Sequence, residues 1–169
     1  MMELDAHLSS RIRVAERPGL LRSIAILLAH SGDSWFWLIG LGFVWFLGSN
    51  EWQRLAAMMA LGILATAAVV MTIKFSVRRR RPEGDWGSIY RSTDPHSFPS
   101  GHAARMMMLT VVALGMGSVF LGVLLIFWTL GVALARVAMG VHYLSDILAG
   151  MLVGVLMGFV ALSLAPLLF

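Results

Sequence analysis

The segment "WQRLAAMMALGILATAAVVMTIKFSV", residues 52–77, is the clearest indication of how this chain folds. A transmembrane helix needs about 20 predominantly apolar residues, and this segment supplies them before a run of four arginines and Pro82. The composition agrees, because 59% of the 169 residues are hydrophobic, 13% are charged and the mean hydropathy is +0.82. An average soluble domain is about 25% charged. The sequence therefore predicts an integral membrane protein.

Apolar segments on both sides of this span extend the prediction to a bundle. Upstream, residues 19–48 are interrupted by the polar run "SGDS" and predict one broken or tilted crossing. Downstream, three further spans are predicted, at about residues 102–118, 119–140 and 144–168. The sequence has no strand pattern and no internal repeat, so we predict an all-α transmembrane helix bundle with five spans.

The N-terminal region, residues 1–31, is predicted to be amphipathic. Residues 3–16 mix polar and apolar side chains, as in a helix that lies on the membrane surface or inserts partly. The N-terminus lacks the basic start and apolar core of a signal peptide. One bundle accounts for the length, so we expect a single domain over residues 1–169, with residues 83–101 as its long polar loop.

The charge pattern favours a membrane partner over nucleic acid. The sequence pI is about 10.7, but the basic residues form no continuous solvated face, and four of them are consecutive at residues 78–81. Anionic lipid or phosphate fits this distribution better than nucleic acid does. The chain has no cysteine, which excludes disulfides, a thiol nucleophile and cysteine-bound metal.

Helix parity predicts that three polar clusters meet at one membrane face. The span at 52–77 ends where the loop 83–101 begins, and the next two spans cross the membrane and return. Three polar clusters therefore reach the same face. They are "KFSVRRRRP" (74–82), "PSGH" (99–102) and "ARVAMGVHYLSD" (135–146).

The first two clusters each have an ordinary explanation as well as a functional one. Lys74 is a charge near the end of a membrane helix, which costs about 2.5–3.5 kcal/mol unless it reaches water or a partner. It either binds phosphate or simply extends to lipid headgroups with the arginines. Ser100 and Gly101 precede a helix whose free N–H groups favour anions, although Ser100 is also an ordinary N-cap with His102 as a bystander.

The third cluster contains Arg136, His142 and Asp146. A histidine and an aspartate four residues apart on a helix face can hydrogen-bond, which fixes one imidazole nitrogen as a donor and frees the other to attack. A structural ion pair that closes a helix hairpin is the alternative. Taken together, the three clusters supply three cations, neutral donors and two histidines, which is a phosphate site with groups for proton transfer.

These clusters resemble the three-part signature of the type-2 phosphatidic acid phosphatase superfamily. The matching residues are Lys74, Arg81 and Pro82, then Pro99, Ser100, Gly101 and His102, then Arg136, His142 and Asp146. Order and spacing both match over residues 74–146. One position departs, because Ala135 stands where the family usually has serine, which implies one phosphate hydrogen bond fewer.

The resemblance implies a role for each residue. His142 would attack phosphorus and form a phosphohistidine, with Asp146 orienting it, and His102 would protonate the leaving oxygen and then activate water. The phosphoryl oxygens would be bound by Lys74, Arg81, Ser100, Gly101 and Arg136. The family's phosphatases use no metal or other cofactor, and none is expected here. The loop acids Glu83, Asp85 and Asp94 are interpreted as solvated, and His96 and Arg91 as surface residues.

The expected substrate is a lipid phosphate within the membrane. Undecaprenyl pyrophosphate, or a similar prenyl phosphate, is favoured over phosphatidylglycerol phosphate and phosphatidic acid. The resemblance implies a multi-pass protein of the cell membrane with an extracytoplasmic site. The positive-inside rule opposes this orientation, but at least two of the charges it counts belong to the predicted site.

Two other functions are alternatives to the phosphatase. One is a lipid-to-lipid phosphotransferase, and the other is a non-catalytic lipid binder or scrambler. The sequence leaves the oligomeric state open.

Overall fold

The structure of the protein, a computed structural model, describes residues 2–84, 86 and 94–168. Within those ranges the chain forms seven α-helices and no strand, which confirms the all-α class. The helices are α1 (Met2–Ile12), α2 (Leu20–Ser31), α3 (Ser34–Leu47), α4 (Asn50–Val77), α5 (Gly101–Gly115), α6 (Val119–Ala138) and α7 (Leu144–Leu168).

The central span α4 ends where the sequence predicts. Its C-cap is Arg78, the first residue of the arginine run, which adopts the left-handed conformation with φ 53° and donates its N–H to the Lys74 carbonyl at 2.9 Å. A left-handed residue at this position closes the last turn of a helix. The arginine run therefore leaves the helix axis and turns toward the polar end of the bundle.

The predicted count of five spans is not confirmed. Among the residues that the structure describes, three helices are long and apolar enough to cross a membrane, namely α4, α6 and α7. The pair α2 and α3 makes a fourth span if its 56° bend lies within one crossing. Helix α5 has only 15 residues, or about 22 Å at 1.5 Å per residue, which is shorter than the roughly 30 Å hydrocarbon core. The protein is nevertheless a multi-pass membrane protein.

Helix α5 is the centre of the bundle, packed against α4, α6 and α7. It approaches α7 most closely along Gly150, Gly154 and Gly158, where an added Cβ would collide with the backbone or side chains of α5. This close packing holds the start of α5 at a fixed position relative to the start of α7.

The N-terminal region packs on the end of the bundle that carries the polar clusters. In α1, Ser9 is buried and its hydroxyl accepts a hydrogen bond from the Leu144 N–H at 3.0 Å. The N–H of Ala15, just after α1, donates to the Ala138 carbonyl at 3.1 Å. Helix α2 then packs on α6, and the bend at Gly32 and Asp33 leads into α3.

Candidate active site

Residues from all three predicted clusters surround one cavity at the polar end of the bundle. The cavity has a volume of about 120 Å³. Four predicted site residues are in its wall, namely Lys74, Gly101, His102 and His142, together with Thr66, Ala67, Val70, Met71, Asp94 and Arg105. The short segment between α6 and α7 brings His142 to the mouth of α5, where His102 lies.

His142 is buried, with 1% of its surface exposed, and it contacts a residue on either side. Its Nε2 lies 3.2 Å from Nη1 of Arg81, and its Nδ1 lies 3.5 Å from Oδ2 of Asp146. Because a guanidinium only donates, Nε2 presents its lone pair and the ring proton is on Nδ1, toward Asp146.

The charge state of His142 follows from its surroundings. Burial lowers its pKa well below the usual value, and the positive charges of Arg136, Arg81 and Lys74 lower it further. The imidazole is therefore neutral at physiological pH. A neutral ring with its lone pair on Nε2 is the form of histidine that attacks an electrophile, and here that lone pair faces Nη1 of Arg81.

Asp146 is fully buried, and both of its carboxylate oxygens accept hydrogen bonds. Its Oδ2 accepts from the Tyr143 N–H at 2.9 Å and its Oδ1 from Nη1 of Arg79 at 2.7 Å. Arg79 also lies over the Tyr143 ring, at 4.1 Å from its centroid. At 3.5 Å the distance to His142 exceeds a normal hydrogen bond, so Asp146 acts on the ring mainly through its charge.

Lys74 and Arg81 converge on Asp94. Lys74 Nζ donates to Oδ2 of Asp94 and, at 2.9 Å, to the His96 carbonyl. Arg81 Nη2 donates to the same Oδ2 at 2.9 Å, and its Nε donates to the Asp94 carbonyl at 2.7 Å. The interpretation of Asp94 as a solvated loop residue is therefore wrong, because two buried cations attract its carboxylate. Asp85 and Arg91 lie outside the described residues.

Of the remaining predicted phosphate ligands, Gly101 is in the cavity wall, whereas Ser100 and Arg136 are buried beside residues that line it. The Ser100 hydroxyl accepts from the Ala103 N–H at 3.4 Å, so it caps α5 while its own hydrogen remains available for donation. Gly101 begins α5 and lines the cavity. Arg136 is buried in the last turn of α6. The phosphate-binding roles of these residues stay predictions.

Two aspartates from residues 2–53, which the sequence analysis missed, contact the site. Oδ1 of Asp33 lies 2.7 Å from Nε2 of His102, and its Oδ2 lies 3.1 Å from Nδ1 of His30. In α1, Oδ2 of Asp5 accepts from Nη2 of Arg79 at 2.7 Å, so Asp5 reaches Asp146 through one arginine. The one signal that could have identified Asp33 is an acid between two apolar segments, in "SGDS".

Ala135, the departure from the family pattern, faces away from the cavity. It belongs to a buried apolar cluster with Ala25 and Ala29 of α2, Met139 and Val141, and it is not part of the cavity wall. The space around it is adapted to a methyl group.

The chain is similar to several known phosphatases. The sequence profile of the PAP2 superfamily matches residues 54–168. The decaprenylphosphoryl-5-phosphoribose phosphatase of Mycobacterium tuberculosis is 32% identical over 147 residues, which cover 86% of this chain and 80% of that protein. The probable lipid phosphate phosphatase beta of Arabidopsis thaliana is 32% identical over 112 residues, which cover 64% of this chain and 51% of that protein.

Two solved structures have the same fold. The transmembrane PAP2 type phosphatidylglycerolphosphate phosphatase from Bacillus subtilis superposes with a TM-score of 0.78 at 21% identity, covering 99% of this chain and 87% of that one. LpxE from Aquifex aeolicus superposes with a TM-score of 0.70, also at 21% identity, covering 91% and 93%. With a matching superfamily profile over most of its length and a curated phosphatase as a relative, the chain belongs to the PAP2 superfamily of membrane lipid phosphatases.

Proposed function

We propose that this protein removes a phosphate group from a lipid phosphate or pyrophosphate through a phosphohistidine on His142, without a metal. The observation that carries the proposal is the placement of His142. Its neutral ring presents Nε2 beside Arg81, its Nδ1 faces the Asp146 carboxylate, and it shares one cavity with Lys74 and His102.

The reaction proceeds in two steps. In the first, His142 Nε2 forms a bond to phosphorus and the bond to the lipid oxygen breaks. His102, which with the anionic phosphate bound is protonated on both ring nitrogens, gives the proton on Nδ1 to that oxygen. In the second, His102 takes a proton from water, the hydroxide attacks the phosphohistidine, and inorganic phosphate leaves as the bond to His142 breaks. The proton that His102 gave is thereby restored.

Fixed donors stabilise the charge on the phosphoryl oxygens in both steps. Lys74, Arg81 and Arg136 supply positive charge, and Ser100 and the Gly101 N–H supply neutral donors. Such preorganised groups are effective because they are buried and need no rearrangement during reaction.

Asp33 positions His102 for its acid and base duties. A carboxylate accepts hydrogen bonds, so its 2.7 Å contact places a hydrogen on His102 Nε2. The opposite nitrogen, Nδ1, is then the one that exchanges a proton with the lipid oxygen and with water. Asp33 contacts His102 and His30 and is not part of the cavity wall, so it is a positioning residue.

The relatives support a lipid substrate with a phosphate at its polar end. Both curated relatives are phosphatases, and the mycobacterial one acts on a polyprenyl lipid by name. The apolar residues Ala67, Val70 and Met71 line the cavity along α4, which favours a lipid over a soluble ester. We place the protein in the cell membrane with the site at the extracytoplasmic face, as the family resemblance favours.

Purified protein in detergent, assayed for phosphate release from a panel of lipid phosphates in excess chelator, tests the proposal. We expect turnover in chelator and inhibition by vanadate, a mimic of five-coordinate phosphorus. The His142→Ala variant should be inactive on every substrate, whereas His7→Ala, which changes an exposed histidine in α1, should match the wild type. Activity that is lost in chelator and restored by magnesium would exclude the metal-free mechanism.

A further inference from the structure

Two polar side chains in the cavity wall have no role in the proposed reaction. Arg105 lies one turn beyond His102 on α5, and Thr66 lies two turns before Lys74 on α4, and both line the cavity. Helix α5 runs away from the polar end of the bundle and α4 runs toward it. Both residues are therefore deeper in the bundle than the phosphoryl site, by about 4.5 Å for Arg105 and about 12 Å for Thr66 along their helix axes.

Both side chains carry a buried polar atom that lacks a hydrogen-bond partner in the described ranges of the chain. These atoms are Oγ1 of Thr66, in a residue only 1% exposed, and Nε of Arg105. Buried polar groups are nearly always satisfied, and an arginine in an apolar helix is costly and usually functional. The pair is therefore explained best by a ligand that is bound during the reaction.

The depth of these residues indicates which part of the ligand they meet. The hydrocarbon tail of a lipid substrate has to lie in the membrane, so the atoms that join the scissile phosphate to the tail pass Arg105. A guanidinium at that depth pairs with an anion, and phosphate oxygens match its donors.

We propose that Arg105, with Thr66, forms a second phosphate subsite that selects lipids with two phosphate groups. This inference rests on the proposed phosphatase activity and specifies its substrate class. The second phosphate lies between the scissile phosphate and the tail, as in a prenyl diphosphate or in a lipid whose two phosphates are separated by a sugar or glycerol. A lipid with a single phosphate leaves the subsite empty.

Arg105 also has a structural contact, so the test has to separate two roles. Its Nη1 donates to the Gly32 carbonyl, next to the Asp33 that contacts His102. Other charged or titratable groups near His102 are Arg136 on α6, His142, and Lys74 and Asp94 in the cavity wall. If Arg105 only positioned Asp33, its loss would act through proton donation by His102.

Two matched substrate pairs separate these roles. The first pair is a prenyl diphosphate and the corresponding prenyl monophosphate, and the second is phosphatidylglycerol phosphate and phosphatidic acid. In Arg105→Gln we expect kcat/KM for each two-phosphate lipid to fall about tenfold to a hundredfold, as for a lost hydrogen bond between charged groups. The one-phosphate lipids should change much less, Arg105→Lys should retain part of the preference, and Thr66→Val should reduce it slightly.

Loss of proton donation would give the opposite order in the first pair. The leaving group of the diphosphate is the prenyl phosphate, which needs little protonation. The leaving group of the monophosphate is the prenyl alkoxide, which needs much. A larger loss on the monophosphate, or equal losses on both members of each pair, would overturn the second subsite. An Arg105-dependent preference found only in the prenyl pair would show that the subsite takes adjacent phosphates. A preference found only in the phosphatidyl pair would show that it takes phosphates separated by glycerol.

Ligand binding tests the subsite independently of turnover. Calorimetry with inorganic pyrophosphate and inorganic phosphate should show tighter binding of pyrophosphate to the wild type, and Arg105→Gln should remove that difference. If no lipid is hydrolysed but pyrophosphate binding depends on Arg105, the proposed function fails while the subsite stands. Equal binding of both anions by the wild type would overturn the subsite.

Discussion

Residues 54–168 and the N-terminal region contribute to the site in different ways. The first region matches the superfamily profile and carries the two histidines and the three cations. The N-terminal region and the helices that follow it, residues 2–53, lie outside that match, yet Asp5 and Asp33 in this segment contact Arg79 and His102. One carboxylate contacts His102, and the other reaches Asp146 through Arg79.

This division indicates how the chemistry is shared. In the proposed mechanism the groups that act on the phosphate come from the matched region, whereas Asp33 contacts His102 and Asp5 reaches Asp146 through Arg79 from residues 2–53. Substitutions in the matched region should remove steps of the reaction, whereas substitutions in residues 2–53 should weaken them.

Among variants that keep His142, the largest effect is expected from His102→Ala. General acid catalysis typically contributes about 10²–10⁴-fold, so hydrolysis of the lipid should fall by that factor. p-Nitrophenolate leaves without protonation, so phosphoenzyme formation from p-nitrophenyl phosphate should survive far better. Rapid-quench trapping of labelled protein should show a burst followed by slow turnover, since water activation is missing too.

Equal losses on both substrates, with no trapped intermediate, would contradict this role. His102 would then bind phosphate or support the fold.

A smaller effect, with the same substrate dependence, is expected from Asp33→Asn. Removing the charge from a charge-assisted hydrogen bond should lower kcat/KM for the lipid by about tenfold to a hundredfold. Because Asp33 acts through His102, p-nitrophenyl phosphate should be affected much less. Glu51→Gln, which changes an exposed acid at the start of α4, is the matched control. A uniform loss on both substrates, or a loss of folded protein alone, would show that Asp33 only stabilises the bend between α2 and α3.

A modest effect is expected from Asp5→Asn. Burial alone would raise the pKa of Asp5, but hydrogen bonds from Ser145 and Arg79 outweigh it and the pKa is lowered below 3.8. The contact with Arg79 is therefore complete above about pH 4 and is lost as the pH falls through the lowered pKa. In the variant we expect a roughly threefold lower kcat, which corresponds to about 0.7 kcal/mol and is within the usual range for an exposed ion pair.

Steady-state kinetics and a thermal melt distinguish the possible outcomes for Asp5. Glu3→Gln, an exposed acid on the same helix, should behave like the wild type. A lower melting temperature with unchanged kcat would mean that α1 stabilises the bundle without affecting Asp146.

The smallest effect on activity is expected from Ala135→Ser. The restored family serine would lie in the apolar cluster with Ala25 and Ala29, so its hydroxyl cannot reach the cavity without repacking. We expect kcat/KM to stay within about threefold and the melting temperature to drop, because an unpaired buried hydroxyl costs about 1–3 kcal/mol. A tenfold gain in kcat/KM would show instead that the side chain reaches the phosphate.

The sequence predicted what depends on local pattern and helix parity, and it missed what depends on distant contacts. The helix class and the end of α4 at the arginine run follow from hydropathy and a C-cap, and parity places His102 and His142 at one cavity. The contact of Asp33 with His102 joins residues 69 apart in sequence, and that of Asp5 with Ser145 joins residues 140 apart. No spacing rule predicts such pairs. The span count failed for a related reason, because packing within the bundle allows α5 to be shorter than a lipid-exposed helix.

Under the proposed function, the position of Asp94 would make phosphate binding an exchange of one anion for another. Its carboxylate already occupies Lys74 and Arg81, and a group tethered to the same chain competes at an effective concentration of about millimolar or higher. A free monovalent anion therefore gains little by replacing it. A phosphate dianion brings more charge and more acceptor oxygens to the same cations. The Asp94 carboxylate would thus exclude anions that bind Lys74 and Arg81 more weakly than it does. The site would select its ligands by their negative charge before the reaction begins.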